Sequence, residues 1–176
     1  MKKLLACPLL MALVLAACAD PSTEAQRLAA SQPAAALEPL DAPADFRGVW
    51  ILNTDRGENL GMMKAVNETI VATQNADSIT FDMTDVFAGM TTTRTIVYDL
   101  NGAVMQNKAA MGAESETVTR WDGEKLVTTW TEEGAIAGTE TQRTETRWLS
   151  EGGKTLSVSM VRGDNPPLLF VFEKAE

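Results

Sequence analysis

The sequence predicts an all-β fold, an antiparallel up-and-down β-barrel of about 8–10 strands behind a disordered N-terminal tether. Three observations carry this prediction. From Phe46 onward, short segments rich in Thr, Val, Ile and aromatic residues alternate apolar with polar positions, which is the period of a half-buried strand. Turn dipeptides such as Asn101-Gly102 and Asp122-Gly123 separate those segments. No convincing amphipathic helix lies among them, so a sheet with one apolar face buries it most easily by curling on itself, which also removes exposed edges.

The strands are expected near residues 46–53, 66–74, 78–84, 93–100, 103–108, 115–121, 125–131, 140–149, 154–162 and 167–173, each within a few residues. Phe46, Gly48, Trp50 and Leu52 share one face, as do Ile79, Phe81 and Met83, and again Leu156, Val158 and Met160. A two-residue turn at Asn101-Gly102 places Leu100 opposite Ala103, Tyr98 opposite Met105 and Ile96 opposite Asn107. A similar turn at Asp122-Gly123 pairs Trp121 with Glu124, Thr119 with Leu126 and Thr117 with Thr128, gathering Trp121, Leu126 and Trp130 on one face. A three-residue loop with a bulge would shift that second register by one.

Ahead of the barrel, Met1, Lys2 and Lys3 precede an uncharged apolar and small-residue run from Leu4 to Ala17. This is the layout of a secretory leader, too short to span a bilayer as a helix. The run closes on Leu15-Ala16-Ala17-Cys18, which resembles the lipobox of bacterial lipoproteins. The resemblance implies removal of residues 1–17 as a signal peptide and acylation of Cys18 by chains such as palmitate. Two or three such chains, at roughly 0.8 kcal/mol per buried methylene, make a membrane anchor effectively permanent. The same family's sorting rule retains proteins with Asp directly after the cysteine in the inner membrane. Here that position is Ala19, which favours the periplasmic leaflet of the outer membrane. Residues 18–44, with prolines at 21, 33, 39 and 43 and no aromatic residue before Phe46, read as a lipidated flexible linker. The barrel domain then spans 45–176.

Loss of Lys2 and Lys3 with the leader takes the formal charge from −9 to −11, so nucleic acid and anionic lipid headgroups are poor partners. Cys7 leaves with the leader and lipid consumes Cys18, so the barrel has no disulfide and no thiol ligand. The chain has no histidine. That excludes the commonest general base, the commonest transition-metal ligand and every Ser-His or Cys-His arrangement. No pair of acids stands out for glycosidase chemistry, so neither catalysis nor a cofactor is expected. Met62, Met63, Met90 and Met111 fall in loops, but without histidine or a Met-x-x-Met repeat they read as adaptable apolar packing rather than a copper site. Met62 and Met63 stand where a flap over a barrel mouth would be.

The segment Phe46-Arg47-Gly48-Val49-Trp50-Ile51-Leu52-Asn53 looks like the first strand of the calycin superfamily, the lipocalins and fatty-acid-binding proteins, which begin with Gly-x-Trp. With Trp121-Asp122-Gly123-Glu124-Lys125-Leu126 and Leu169-Phe170-Val171-Phe172-Glu173-Lys174, it resembles small lipocalin-like domains of secreted bacterial proteins over residues 46–174. Three features depart from the two named families. The Thr-Asp-x-x-x-Tyr element and the terminal Arg-x-Tyr have no match, and the loop from Thr54 to Ala65 is too short for a two-helix lid. The resemblance implies that Trp50 plugs the closed end of the barrel, with Gly48 letting its strand approach a neighbour closely. It also implies an internal cavity, whose candidate lining is Phe81, Tyr98, Met105, Trp121, Trp130, Met160 and Phe170.

Two readings of function follow. In the first, a membrane-anchored periplasmic lipoprotein binds a small hydrophobic or amphipathic ligand without catalysis. In the second, an envelope lipoprotein has a barrel filled by its own side chains and serves a structural or protein-interaction role with an unnamed protein partner. The Thr/Glu/Arg run from Thr139 to Arg147 reads as a solvated strand. Should Arg143, Glu145 and Arg147 face inward instead, the cavity is part polar and suits an anionic amphiphile better than a hydrocarbon.

Overall fold

The computed structural model describes residues 42–109, 112–134 and 136–176. The leader, Cys18, the linker up to residue 41, and Met111 lie outside the described residues. Ten strands follow one another: β1 (Gly48–Leu52), β2 (Asn67–Gln74), β3 (Ser78–Phe87), β4 (Met90–Asp99), β5 (Met105–Lys108), β6 (Glu114–Asp122), β7 (Lys125–Glu133), β8 (Glu140–Ser150), β9 (Thr155–Arg162) and β10 (Leu168–Lys174). A short 3-10 helix, Gly61–Ala65, lies in the β1–β2 connection.

The strands form one antiparallel sheet in the order β4-β3-β2-β1-β10-β9-β8-β7-β6-β5. This is an up-and-down barrel in which the first and last strands pair, Trp50 opposite Lys174 and Leu52 opposite Phe172. β3 and β4 run longer than their composition suggests. Ala88 and Gly89, at φ 49° and 79°, make a two-residue turn that sets Phe87 opposite Met90. Positive φ at both central positions is the twist a tight hairpin needs.

The expected hairpin at Asn101-Gly102 does not form. β4 and β5 are the two edges of the sheet, and the pairs Leu100–Ala103, Tyr98–Met105 and Ile96–Asn107 are absent from the ladders. Asp99 is the reason: its Oδ1 accepts from the backbone N–H groups of Asn101 at 2.9 Å and Ala103 at 2.8 Å, while Leu100 N donates to Asp77 O at 2.8 Å. A side chain that captures local N–H groups competes directly with a ladder. The seam is closed by another side chain. Asn107 Oδ1 accepts from Val97 N at 3.0 Å, and its Nδ2 donates to Val97 O at 2.8 Å and Thr117 Oγ1 at 2.8 Å. One amide thus replaces a stretch of backbone pairing and makes the barrel near-closed.

The β6–β7 register also differs. Trp121 lies opposite Leu126, Thr119 opposite Thr128 and Thr117 opposite Trp130, because Asp122 pairs with Lys125 and the turn is Gly123-Glu124. Gly123, at φ 58°, takes the first central position, the place a II′ turn reserves for glycine. The pairing slips by two residues, an even number, so Trp121, Leu126 and Trp130 still share a face.

One end of the barrel is filled. Phe46, Trp50, Ile79, Leu126 and Leu156 are fully buried there, and Phe46 stacks on Trp121 with ring centroids 6.0 Å apart. Trp50 Nε1 donates to Phe46 O at 2.8 Å, and Gln74 ties the incoming chain through Phe46 N at 2.9 Å and Ala44 O at 3.0 Å. Gly48 sits at φ 133°, with a Cβ there 2.6 Å from Lys174 Cε, so a side chain here meets backbone strain and must displace the end of the Lys174 side chain. Among the described residues the core cluster and its packing partners run from Ala44 to Phe172, and Leu40–Glu176 forms a compact unit.

The seam gives a direct test. Asn107→Ala leaves the Val97 N–H and C=O without partners, so we expect a loss of about 1–3 kcal/mol in urea unfolding. Hydrogen exchange at the Val97 amide should rise more than at the β3–β4 ladder amides, and equal protection in variant and native protein would contradict this closure.

Candidate functional site

Toward the other end the barrel is hollow. A cavity of about 570 Å³ lies among the strands, within the range of small-molecule sites. Its apolar wall includes Ile70, Phe81, Met83, Ile96, Met160 and Phe170. Near the mouth stand Met63 from the 3-10 helix, Ala109 and Ala113 flanking the β5–β6 connection, and Asn165 and Leu168 around the β9–β10 turn. Strands alternate in direction, so the chain enters the barrel at the filled end, opposite this mouth.

Phe81, Trp130, Met160 and Phe170 from the expected set line the cavity. Tyr98, Met105 and Trp121 do not. Tyr98 is fully buried, wedged edge-on between Phe81 and Trp130 at centroid distances of 5.8 and 6.0 Å. Met105 is half-buried at the start of the edge strand β5, and Trp121 is held at the filled end by its stack on Phe46. Trp50 also lies in the filled end, its ring 5.0 Å from Lys174 Nζ. Met63 is half-buried against the core while Met62 is 86% exposed, so the two adjacent methionines differ in role.

The rest of the wall is ionic. On β8, Arg143, Glu145 and Arg147 recur at every second residue, the spacing that puts all three on one face, and that face is the inside. The solvated-strand reading of this run is therefore corrected. Glu145 joins the two arginines: Oε1 accepts from Arg143 Nε at 3.1 Å and Oε2 from Arg147 Nη2. Arg147 Nη2 also donates to Tyr98 Oη at 3.1 Å. Arg143 pairs with Glu132, whose other oxygen accepts from Arg162 Nη2 at 3.2 Å. The guanidinium of Arg143 lies 4.1 Å from the Trp130 ring centre, and that of Arg147 lies 5.3 and 5.0 Å from Phe81 and Tyr98, so cation–π attraction adds to the ion pairs.

A second ionic group stands on β2, β3 and β4. Arg94 pairs with Asp85, and its Nη2 donates to Glu68 Oε1 at 3.3 Å. Nothing in the residue types advertised these three. Their signal lies in strand phase, because Glu68 shares the inward parity of Ile70 and Ala72, and Arg94 that of Ile96 and Tyr98.

Burial and pairing set the protonation of these groups. Burial pushes the Glu68 carboxyl up to about 7; Arg94 opposes that rise and Asp85 adds to it. Burial pulls Glu145 the same way, but Arg147 and Arg143 outweigh it and hold its carboxyl below the ordinary value. Burial also pushes the Tyr98 hydroxyl up. Three buried polar atoms have no hydrogen-bond partner among the described residues: Asp85 Oδ1, Trp130 Nε1 and Arg147 Nη1. Among the described residues no group of three or more His, Cys, Asp or Glu side chains is placed to hold a metal ion.

No family model matches this chain, and no curated protein does. Solved structures do. The wild-type fluorescent protein UnaG matches at 18% identity and TM-score 0.60, covering 74% of this chain and 97% of its own. Human cRBP IV matches at 19% identity and TM-score 0.58, covering 76% and 100%. A fatty acid binding protein of Schistosoma mansoni in complex with arachidonic acid matches at 18% identity and TM-score 0.52, covering 74% and 96%. The chain shares their fold, an antiparallel up-and-down β-barrel.

The raised Glu68 makes stability depend on pH with a definite sign. Between 4.5 and about 7 the folded barrel holds a proton that the unfolded chain has released, so raising pH through this window favours unfolding. Relative to Glu68→Gln, we expect the native barrel to lose on the order of 3 kcal/mol across it and nothing further above. Urea unfolding of both proteins at several pH values checks this, and a difference that stays constant with pH contradicts it.

Proposed function

We propose that this chain is a membrane-anchored periplasmic lipoprotein whose barrel binds a small amphipathic molecule without chemically changing it. One observation carries the reading: a cavity of about 570 Å³ whose wall is apolar on some strands and lined by paired, buried charges on others. A barrel serving only as a solid scaffold has no use for that arrangement, since buried ion pairs stabilise less than well-packed hydrocarbon of the same volume. The fold neighbours supply support of a weaker kind, because one of them is named as a fatty acid binding protein in complex with arachidonic acid.

In this reading residues 1–17 are the signal peptide, Cys18 carries the acyl chains, 18–44 form the linker, and 45–176 are the working domain. The outer membrane's periplasmic leaflet is the preferred location, because Ala19 rather than Asp follows Cys18. The described chain enters the barrel at the filled end, opposite the mouth through which a ligand would pass. The acidic balance of the chain argues against nucleic acid as a partner.

Native mass spectrometry of the barrel unit, residues 40–176, produced in a bacterial periplasm, tests the cargo. The expected result is one reproducible extra mass per barrel, lost on denaturation; a bare barrel that also fails to take up fatty acids or a fluorescent amphiphile contradicts it. The anchor has its own test. Cys18→Ser should abolish incorporation of labelled palmitate and release the protein from the membrane fraction, and unchanged membrane association would remove the lipoprotein reading.

A further inference from the structure

The two ionic groups stand on opposite walls. In the ring of ten strands β3 and β8 are five steps apart either way. Glu68, Asp85 and Arg94 centre on β3, while Glu132, Arg143, Glu145, Arg147 and Arg162 centre on β8. Among the described residues the first group carries two carboxylates against one guanidinium, and the second two carboxylates against three, with Arg162 half exposed at the mouth. Counted with Glu68 ionised, as it is above about pH 7, and with the exposed Arg162 included, the site has a formal surplus of one negative charge on one wall and one positive charge on the other. Its sum is zero.

The unpartnered atoms have the matching polarity. On the β3 side Asp85 Oδ1 is a buried acceptor without a donor among the described residues. On the β8 side the buried nitrogens Arg147 Nη1 and Trp130 Nε1 are donors without an acceptor among them, and both residues line the cavity. Arg147 is 6% exposed, so its free N–H groups are largely shielded from bulk water. A lone anion adds a net charge to a neutral, poorly solvated site, and a lone cation does the same with the opposite sign. A group carrying both charges adds none and can satisfy both walls.

We infer that the polar part of the ligand is a zwitterion, its anionic oxygens accepting from Arg147 Nη1 and Trp130 Nε1 and its ammonium group set against Glu68, which lines the cavity, with Asp85, joined to Glu68 through Arg94, adding negative charge to that wall. The inference rests on the cavity reading proposed above and names the ligand class within it. Phosphate-ammonium and carboxylate-ammonium headgroups share this chemistry. A bound ammonium also restores the charge that burial disfavours at Glu68, whose carboxyl is otherwise raised to about 7.

Isothermal titration of the barrel unit compares probes with one tail and different heads, each below its micelle concentration: dodecylphosphocholine, dodecyl phosphate and dodecyltrimethylammonium. The zwitterion should bind one per barrel, at least about tenfold tighter than either singly charged probe. Asp85→Asn should weaken the zwitterion and strengthen dodecyl phosphate, a reversal that general damage to the fold does not produce. Glu68→Gln, close in shape to the protonated acid, should shift preference the same way and covers the case in which Asp85→Asn does not fold. Dodecyl phosphate binding the native barrel as tightly as the zwitterion, or all three probes weakening together in both variants, overturns the zwitterion while leaving the cavity reading intact. Failure of all three probes to bind overturns both.

Discussion

A charged side chain taken out of water costs several kcal/mol unless it meets a partner of opposite sign and its remaining hydrogen bonds are made. That constraint governs the inside of this barrel. Glu68, Glu145 and Arg147 are each more than nine-tenths buried, and each is folded into an ion pair that crosses between strands or along β8. Such groups cannot collapse onto one another as leucines do, because each holds a specific distance to its partner. The aromatic core therefore fills the end near Phe46 and Trp50, and the ionic walls keep space beyond it. Cavity and core are consequences of one division of side chains along the barrel axis.

Closure of the sheet has a similar economy. Nine ladders join ten strands in a ring, and the remaining gap is bridged by the Asn107 amide, which meets both backbone groups of Val97 and the Thr117 hydroxyl. Asp99 prevents a tight turn before β5 by taking the Asn101 and Ala103 amides, so β5 stays short and starts late. The seam lies between adjacent strands in sequence, while the first and last strands pair at Trp50–Lys174, Ile51–Glu173 and Leu52–Phe172. The first and last strands of the barrel are thus joined by backbone pairing, and the weak line falls between β4 and β5.

Much of this was legible in the residues. Alternation located ten strands, and their one-sided apolar faces required a barrel. Where the sequence misleads, the causes are specific. Asn101-Gly102 has ideal turn chemistry, but a carboxylate two residues earlier has first claim on the amides. Asp122-Gly123 marks a turn correctly to within one position, and the even slip leaves the faces unchanged. The ionic walls were harder to see, because an Arg or Glu in a strand is ordinarily outside and pairing across strands is invisible before the register is known. Arg94 and Glu68 nevertheless occupy inward parity, which is the signal a reading by residue type passes over. The leader and Cys18 are legible only as a motif and lie outside the described residues.

The functional account turns on whether the free donors of the β8 wall meet a ligand inside the barrel. Side-chain NMR of the four tryptophan indoles and the arginine guanidinium groups, followed while dodecylphosphocholine is added, observes those atoms directly. The account predicts that the Trp130 indole and Arg147 signals move together and saturate at one ligand per barrel, while the Trp50 indole, already bonded to Phe46, stays in place. Movement confined to Trp148, a partly buried residue of β8, or no saturating change at Trp130 and Arg147, would contradict it.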